Sequence, residues 1–171
     1  MASPLARWLF DIHIPLDTDP MPRVLEVGSG YGDLLIYLAA RGCDVRGIDP
    51  DPRAAESCGR SGIRIKTGQL PCPDLPDGSF DVAVLCHSLE HIHDPNAALI
   101  ELRRLLRDGG TLHLAVPNGN AAALEHEGRA WAHLSFPLHL WFFDRDTLTR
   151  LLAAAGFQKL VYVHTTSRHH Y

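Results

Sequence analysis

Lysine is nearly absent from this chain: Lys66 and Lys159 are the only two among 171 residues. The remaining positive charge is arginine, spread along the sequence, and 16 basic against 20 acidic residues leave a formal net charge of -4. That balance excludes electrostatic recruitment to nucleic acid or to an anionic membrane surface. The four cysteines, Cys43, Cys58, Cys72 and Cys86, form no CxxC pair. No disulfide framework or common zinc spacing follows from them, and the setting they suggest is reduced and cytoplasmic. Missing too are a long apolar run, a secretory leader, an internal repeat and a low-complexity linker. What remains is 46% hydrophobic, enough for one domain over 1–171 with a core of ordinary size.

The densest information lies in Val24-Leu25-Glu26-Val27-Gly28-Ser29-Gly30-Tyr31-Gly32-Asp33, followed by Gly47-Ile48-Asp49-Pro50. The pattern is a buried strand, a glycine-rich turn, a helix start, and a second strand ending on an acid. In a dinucleotide fingerprint the third glycine falls three residues after the second. Here that position is Asp33, which sets a negative charge where a pyrophosphate would rest on a helix N-terminus. The alternating glycines therefore favour a nucleoside ligand without a pyrophosphate. About 20 residues after such a turn, Asp49 is placed to accept hydrogen bonds from ribose hydroxyls.

Apolar periodicity extends this start into a regular alternation. Strands are expected at Arg23–Val27, Val45–Asp49, Ile63–Thr67, Asp81–Cys86, Thr111–Val116 and Lys159–His164. Helices are expected over Gly32–Arg41, from Asp51-Pro52 to Gly59, after Asp94-Pro95, and over Asp144–Ala155, with Asp51 and Asp94 as N-caps. In the helix after Pro95, leucines face inward while Glu101, Arg103, Arg104 and Arg107 face water. Short helices are also expected at Leu5–Phe10, within the N-terminal extension 1–22, and at Ala121–His126. The alternation calls for a doubly wound, mostly parallel, Rossmann-like sheet with helices on both faces.

Five ordered segments carry a family resemblance: VLEVGSGYGD, GIDPDP, LPCPDLPDGSFDVAVLCHSLEHIHDP, LRRLLRDGGTLHLAVPN and PLHLWFFDRDTLTRLLAAAGF. Across roughly residues 23–160 the chain resembles class I S-adenosylmethionine-dependent methyltransferases, near the ubiquinone and menaquinone methyltransferase-like branch that acts on small molecules. The resemblance implies S-adenosylmethionine as cofactor. Glu26, Gly28, Ser29, Gly30 and Gly32 would hold its methionine part and ribose edge. Asp49 would bind the ribose hydroxyls, with Pro50 beside the adenine. Similar proteins often meet the adenine amine with an Asp after the third strand; here that segment reads Thr67-Gly68-Gln69-Leu70, so Gln69, Leu70 or backbone groups would serve. Cys86 and His87 match positions lining the sulfonium side.

Methyl transfer from a sulfonium asks chiefly for alignment, and proximity with orientation can supply ~7–11 kcal/mol of the barrier. A base is required where the acceptor must lose a proton. Candidates are His87, His91 and Glu90 after the fourth strand, with His133 and His139 in the connection 117–144; His87 and His139 are the preferred pair. Glu90 and His91 also suit a loop-bracing role. The cluster His87, His91, His93 matches no standard zinc spacing, so no metal is expected. His93 reads as an exposed neighbour of the Asp94 cap, and His169-His170 as a tail. Trp131, Phe136, Trp141 and Phe142, interleaved with His126, His133 and His139, suggest a flat or apolar acceptor, and packing of the connection against the core explains them about equally well.

The resemblance also implies a seventh, antiparallel strand, expected to be missing or shortened after Lys159–His164. That would leave a sheet edge that a second copy, in a homodimer, could cover. Two other functions fit parts of the pattern: a non-catalytic S-adenosylmethionine-binding or regulatory protein, and a nicotinamide-dependent oxidoreductase. The glycine spacing and Asp33 argue against the second.

Overall fold

The computed structural model describes residues 14, 16, 18–59, 61–120, 135 and 137–163. The helices expected at Leu5–Phe10 and Ala121–His126 lie outside these residues, as do Trp131, His133, Phe136 and the tail 164–171.

Five strands, β1 (Arg23–Val27), β2 (Asp44–Asp49), β3 (Arg64–Thr67), β4 (Phe80–Cys86) and β5 (Leu106–Ala115), form one sheet in the order β3-β2-β1-β4-β5. Every neighbouring pair is parallel. The strand order reverses between β1 and β4, which opens the crevice where ligands settle on such sheets.

Strand alternation divides the core into two layers. Leu25 and Val27 of β1 with Ala83 and Leu85 of β4 face one side, against Leu99, Leu102 and Leu105 of α3 (Pro95–Leu105) and Leu152 of α4 (Arg145–Ala154). Val24, Val82 and Val84 face the other, against Leu34 and Leu38 of α1 (Asp33–Ala39). On that side Leu35 of α1 also meets Cys58 of α2 (Pro52–Gly59). Helices thus cover both faces, as the double winding requires. Asp51 and Asp94 cap helices as expected, accepting from the Arg53 and Ala97 N–H groups, and Asp144 proves to do the same for Thr147.

Three expectations are corrected. Glu101 is buried at 8% exposure rather than facing water. Its carboxylate accepts from the Cys72 N–H at 2.9 Å and from Arg104 at 2.7 and 2.8 Å, while Arg104 also donates to the carbonyls of Leu75 and Cys72. The pair stitches the proline-rich loop before β4 onto α3, and it is this loop that covers Glu101.

Residues 159–163 do not form the expected sixth strand. Leu160 packs against the core and the Tyr162 hydroxyl meets Thr149 Oγ1 at 2.6 Å, fastening the segment to α4. Val161 and Val163 are left 87% and 63% exposed. The fifth strand, third, begins at Leu106 rather than Thr111: Phe80 pairs with Leu106 and Val82 with Thr111, so Gly109-Gly110 lies in an irregularity inside β5.

Candidate active site

The turn after β1 is shaped by what glycine permits. Gly28 has φ 77°, and a Cβ there would lie 2.5 Å from the Cβ of Ser88. Its N–H donates to the Ile48 carbonyl, while Ser88 Oγ donates to the Val27 carbonyl, each at 2.8 Å. The ends of β1, β2 and β4 are thereby drawn together. Gly32, φ 76°, starts α1 and leaves room for Cys58. Gly30, φ 50°, has nothing within 4 Å of where its Cβ would be, so this part of the turn borders open space.

Asp49 is the hub of the crevice. Its Oδ2 accepts from the Gly30 N–H and its Oδ1 from the Asp51 N–H, both at 2.8 Å, and its backbone carbonyl accepts from Gly68. Each carboxylate oxygen keeps a second lone pair for a ligand hydroxyl. Pro50 is exposed beside it, as is Gln69 beyond β3, whereas Leu70 is half-buried against the main core.

Glu26 lies 6% exposed within this crevice. Burial, and then the negative charges of Asp33 and Asp49, push its pKa up to about 8. Its Oε2 and the buried Ser29 Oγ have no hydrogen-bond partner. Two orphaned polar atoms, open space at Gly30 and a ribose-competent carboxylate together fit a polar nucleoside ligand bearing a cationic group. Cys86, at the end of β4, has its thiol pushed up to about 12 by burial and by the charges of Glu26 and Glu90. It is a neutral lining group, and nucleophilic chemistry does not begin there.

Beyond Cys86 the chain turns sharply: His87 adopts φ 50° and its N–H donates to the Ala115 carbonyl. A 3₁₀ turn, Leu89–His91, follows. The segment 138–141 is clasped onto it. The Leu140 and Trp141 N–H groups reach the Glu90 carbonyl, Trp141 Nε1 donates to Ile92 O, and His91 Nδ1 lies 2.9 Å from Leu138 O. The base of the long connection is closed by a bridge between Asn118 and Phe143. Leu138, Leu140, Trp141 and Phe142 remain exposed around this clasp.

The Glu90 side chain, 0% exposed, has neither oxygen hydrogen-bonded. His87 Nδ1 stands 3.5 Å from its Oε1 and His139 Nε2 4.0 Å from the same atom. The His139 ring meets that of His91 at 4.8 Å and that of Phe142 at 6.2 Å. Nitrogen and oxygen atoms of Glu90, His91 and His139 fall within 4.8 Å of one another, a donor set with which a divalent cation is chemically compatible. His93 is exposed and takes no part in that trio. The structure therefore joins His87 and His139, which the sequence could only list side by side, through a carboxylate whose burial no periodicity announced.

A family model for a methyltransferase domain matches residues 4–162. Among curated relatives, a ubiquinone biosynthesis O-methyltransferase of Cereibacter sphaeroides is 32% identical over 85% of this chain and 64% of its own length. One of Methylococcus capsulatus is 33% identical over 59% of this chain and 46% of its own. The chain thus spans about half to two thirds of the length of these relatives. A solved S-adenosylmethionine-dependent methyltransferase of Thermotoga maritima superposes with TM-score 0.72 at 24% identity, covering 91% of this chain and 70% of that one. No helix among the described residues is long and apolar enough to cross a membrane. Turn, sheet order, crevice and sequence agree: the chain belongs to the methyltransferase-domain family, with the class I architecture whose cofactor is S-adenosylmethionine.

Proposed function

We propose that this protein transfers the methyl group of S-adenosylmethionine to a small-molecule acceptor whose O, N or C nucleophile enters between His87 and the Leu138–Phe142 segment. One observation carries the reading: orphaned Glu26 and Ser29 atoms, open Gly30 and doubly anchored Asp49 meet at the switch point, next to a histidine-lined strand end.

When bound, the cofactor supplies an electrophilic methyl on a sulfonium whose departure leaves a neutral thioether. Glu26 would hold the methionine ammonium, Ser29 and the Gly28, Gly30 and Gly32 backbone its flank, and Asp49 the ribose hydroxyls. Pro50, Gln69 and Leu70 are assigned to the adenine side, and Cys86 and His87 to the sulfonium side. The protein's task is alignment of nucleophile, methyl and sulfur, with water excluded by the clasped segment. A phenolic or ammonium acceptor also gives up a proton, which His87 or His139 is suited to take. The apolar rim of Leu138, Leu140, Trp141 and Phe142 favours a flat or apolar acceptor. The curated relatives' names, which refer to ubiquinone biosynthesis, support the small-molecule class.

Turnover across phenols, amines and carbon acids, read as S-adenosylhomocysteine release, tests this reading. Release with one acceptor class supports it. A folded protein that binds the cofactor yet releases product with none would favour the non-catalytic binding role.

A further inference from the structure

The loop 68–79, between β3 and β4, forms neither helix nor strand, yet its backbone is held firmly. The Gly68 N–H donates to the Asp49 carbonyl at 2.9 Å, on the residue whose carboxylate also holds the Gly30 turn. Four residues on, the Cys72 N–H donates to Glu101 Oε1 at 2.9 Å, and Arg104 donates to the Cys72 and Leu75 carbonyls at 3.2 and 2.9 Å. Arg104 also pairs with Asp77, and Lys66 with Asp74. A loop anchored at this many points has little ordering left to lose when a ligand arrives. Between the anchors sits Gln69. Its carbonyl accepts from the Cys72 thiol at 3.5 Å. The residue is exposed, and its side-chain amide makes no hydrogen bond among the described residues. Its backbone is set, while its amide is free to turn.

We propose that Gln69 reads the group on carbon 6 of the cofactor's purine and, being an amide, admits a carbonyl there as well as an amine, so that the crevice takes hypoxanthine nucleosides alongside adenine ones. The proposal rests on the assignment of Gln69 to the adenine side and adds base specificity to it. An amine at that carbon donates a hydrogen bond, and a carbonyl accepts one. A carboxylate in the same place can only accept: it holds the amine and repels the carbonyl. An amide carries an accepting oxygen and a donating nitrogen on one planar group. A half-turn about its last torsion, which is broad and roughly two-fold, exchanges the two. The stretch Thr67-Gly68-Gln69-Leu70 has no acidic side chain that would insist on the amine.

Calorimetric titration tests this without any need for turnover. The purified protein, Gln69→Glu and Gln69→Leu are each titrated with S-adenosylhomocysteine and with its hypoxanthine counterpart, S-inosylhomocysteine. Gln69 is exposed, so neither change should disturb folding. The parent is expected to bind the two ligands with Kd values within about tenfold of each other. Gln69→Glu, which keeps the shape and removes the donor, should hold the adenine ligand nearly as well as the parent. It should weaken the hypoxanthine ligand by about tenfold or more, the scale for setting an acceptor against a charged acceptor. Gln69→Leu should weaken both ligands by a similar factor. A parent preference for adenine above about tenfold, or a preference that Gln69→Glu leaves less than tenfold changed, would overturn the proposal while the cofactor reading stood. Failure of both ligands to bind the parent would overturn the cofactor reading and the proposal together.

Discussion

The Gly30 backbone N–H donates to Asp49 Oδ2 at 2.8 Å, tying the glycine turn after β1 to the end of β2. One carboxylate thus shapes the crevice and presents lone pairs to what enters it. Asp49→Ala removes both functions and should weaken cofactor binding by about 1–3 kcal/mol, the range for a lost charged hydrogen-bond partner. Asp49→Asn keeps an acceptor for one N–H and should lose less. Calorimetric titration with S-adenosylmethionine checks both; equal affinity in all three proteins would remove Asp49 from the site.

Glu26 couples binding to protons. With its pKa pushed up to about 8, chiefly by burial, it is largely protonated in the free protein at neutral pH. Pairing with a ligand ammonium requires the carboxylate, so binding near pH 7 should release close to one proton. The observed enthalpy should then depend on the ionisation enthalpy of the buffer, and Glu26→Gln should abolish that dependence. The sign for stability follows from the raised value: the favourable protonated state is fully present below the ordinary carboxyl range and is lost as pH rises through about 8. Without ligand, Glu26→Gln should therefore melt higher than the parent at pH 9, with the gap closing toward pH 4.

Asp81 tests the opposite end of the sheet. Burial alone would raise its pKa, but hydrogen bonds from Arg23 and Arg107 outweigh this and hold it well below the usual carboxylate range. A depressed value contributes stability above the unfolded pKa of about 3.9, lost as pH falls through the folded one. The arginines are about half exposed, so solvent screening limits the effect. Asp81→Asn should cost about 1–2 kcal/mol in denaturant unfolding at pH 7, and the cost should shrink below pH 3.

Gly28→Ala combines a positive φ with a Cβ driven against Ser88. Strain of this kind costs about 1–3 kcal/mol. Denaturant unfolding should show that loss, with cofactor binding weakened as the turn shifts. Gly30→Ala, which meets only open space in the free protein, should spare packing more than Gly28→Ala does.

Much of this was legible in the residues because it is local. The β1 turn, the acid ending β2, the Asp51 and Asp94 caps and the apolar β4 each announce themselves within a dozen positions. What escaped is non-local. Helical spacing sends Glu101 to solvent, and only the fold of the loop at Cys72 and Leu75 buries it. The alternation in Lys159–His164 suits a strand, but Leu160 and Tyr162 find α4 instead of a sheet edge. Glu90 reads as a loop brace from its neighbours, and its backbone carbonyl does accept from Leu140 and Trp141. That its side chain meets both His87 and His139 depends on a segment almost fifty residues away.

The most direct test is a side-by-side calorimetric titration of the purified protein with S-adenosylmethionine, S-adenosylhomocysteine and NAD. One saturable site for the first two, with no heat from NAD, is the predicted result. Tight binding of NAD without binding of S-adenosylmethionine would contradict the account.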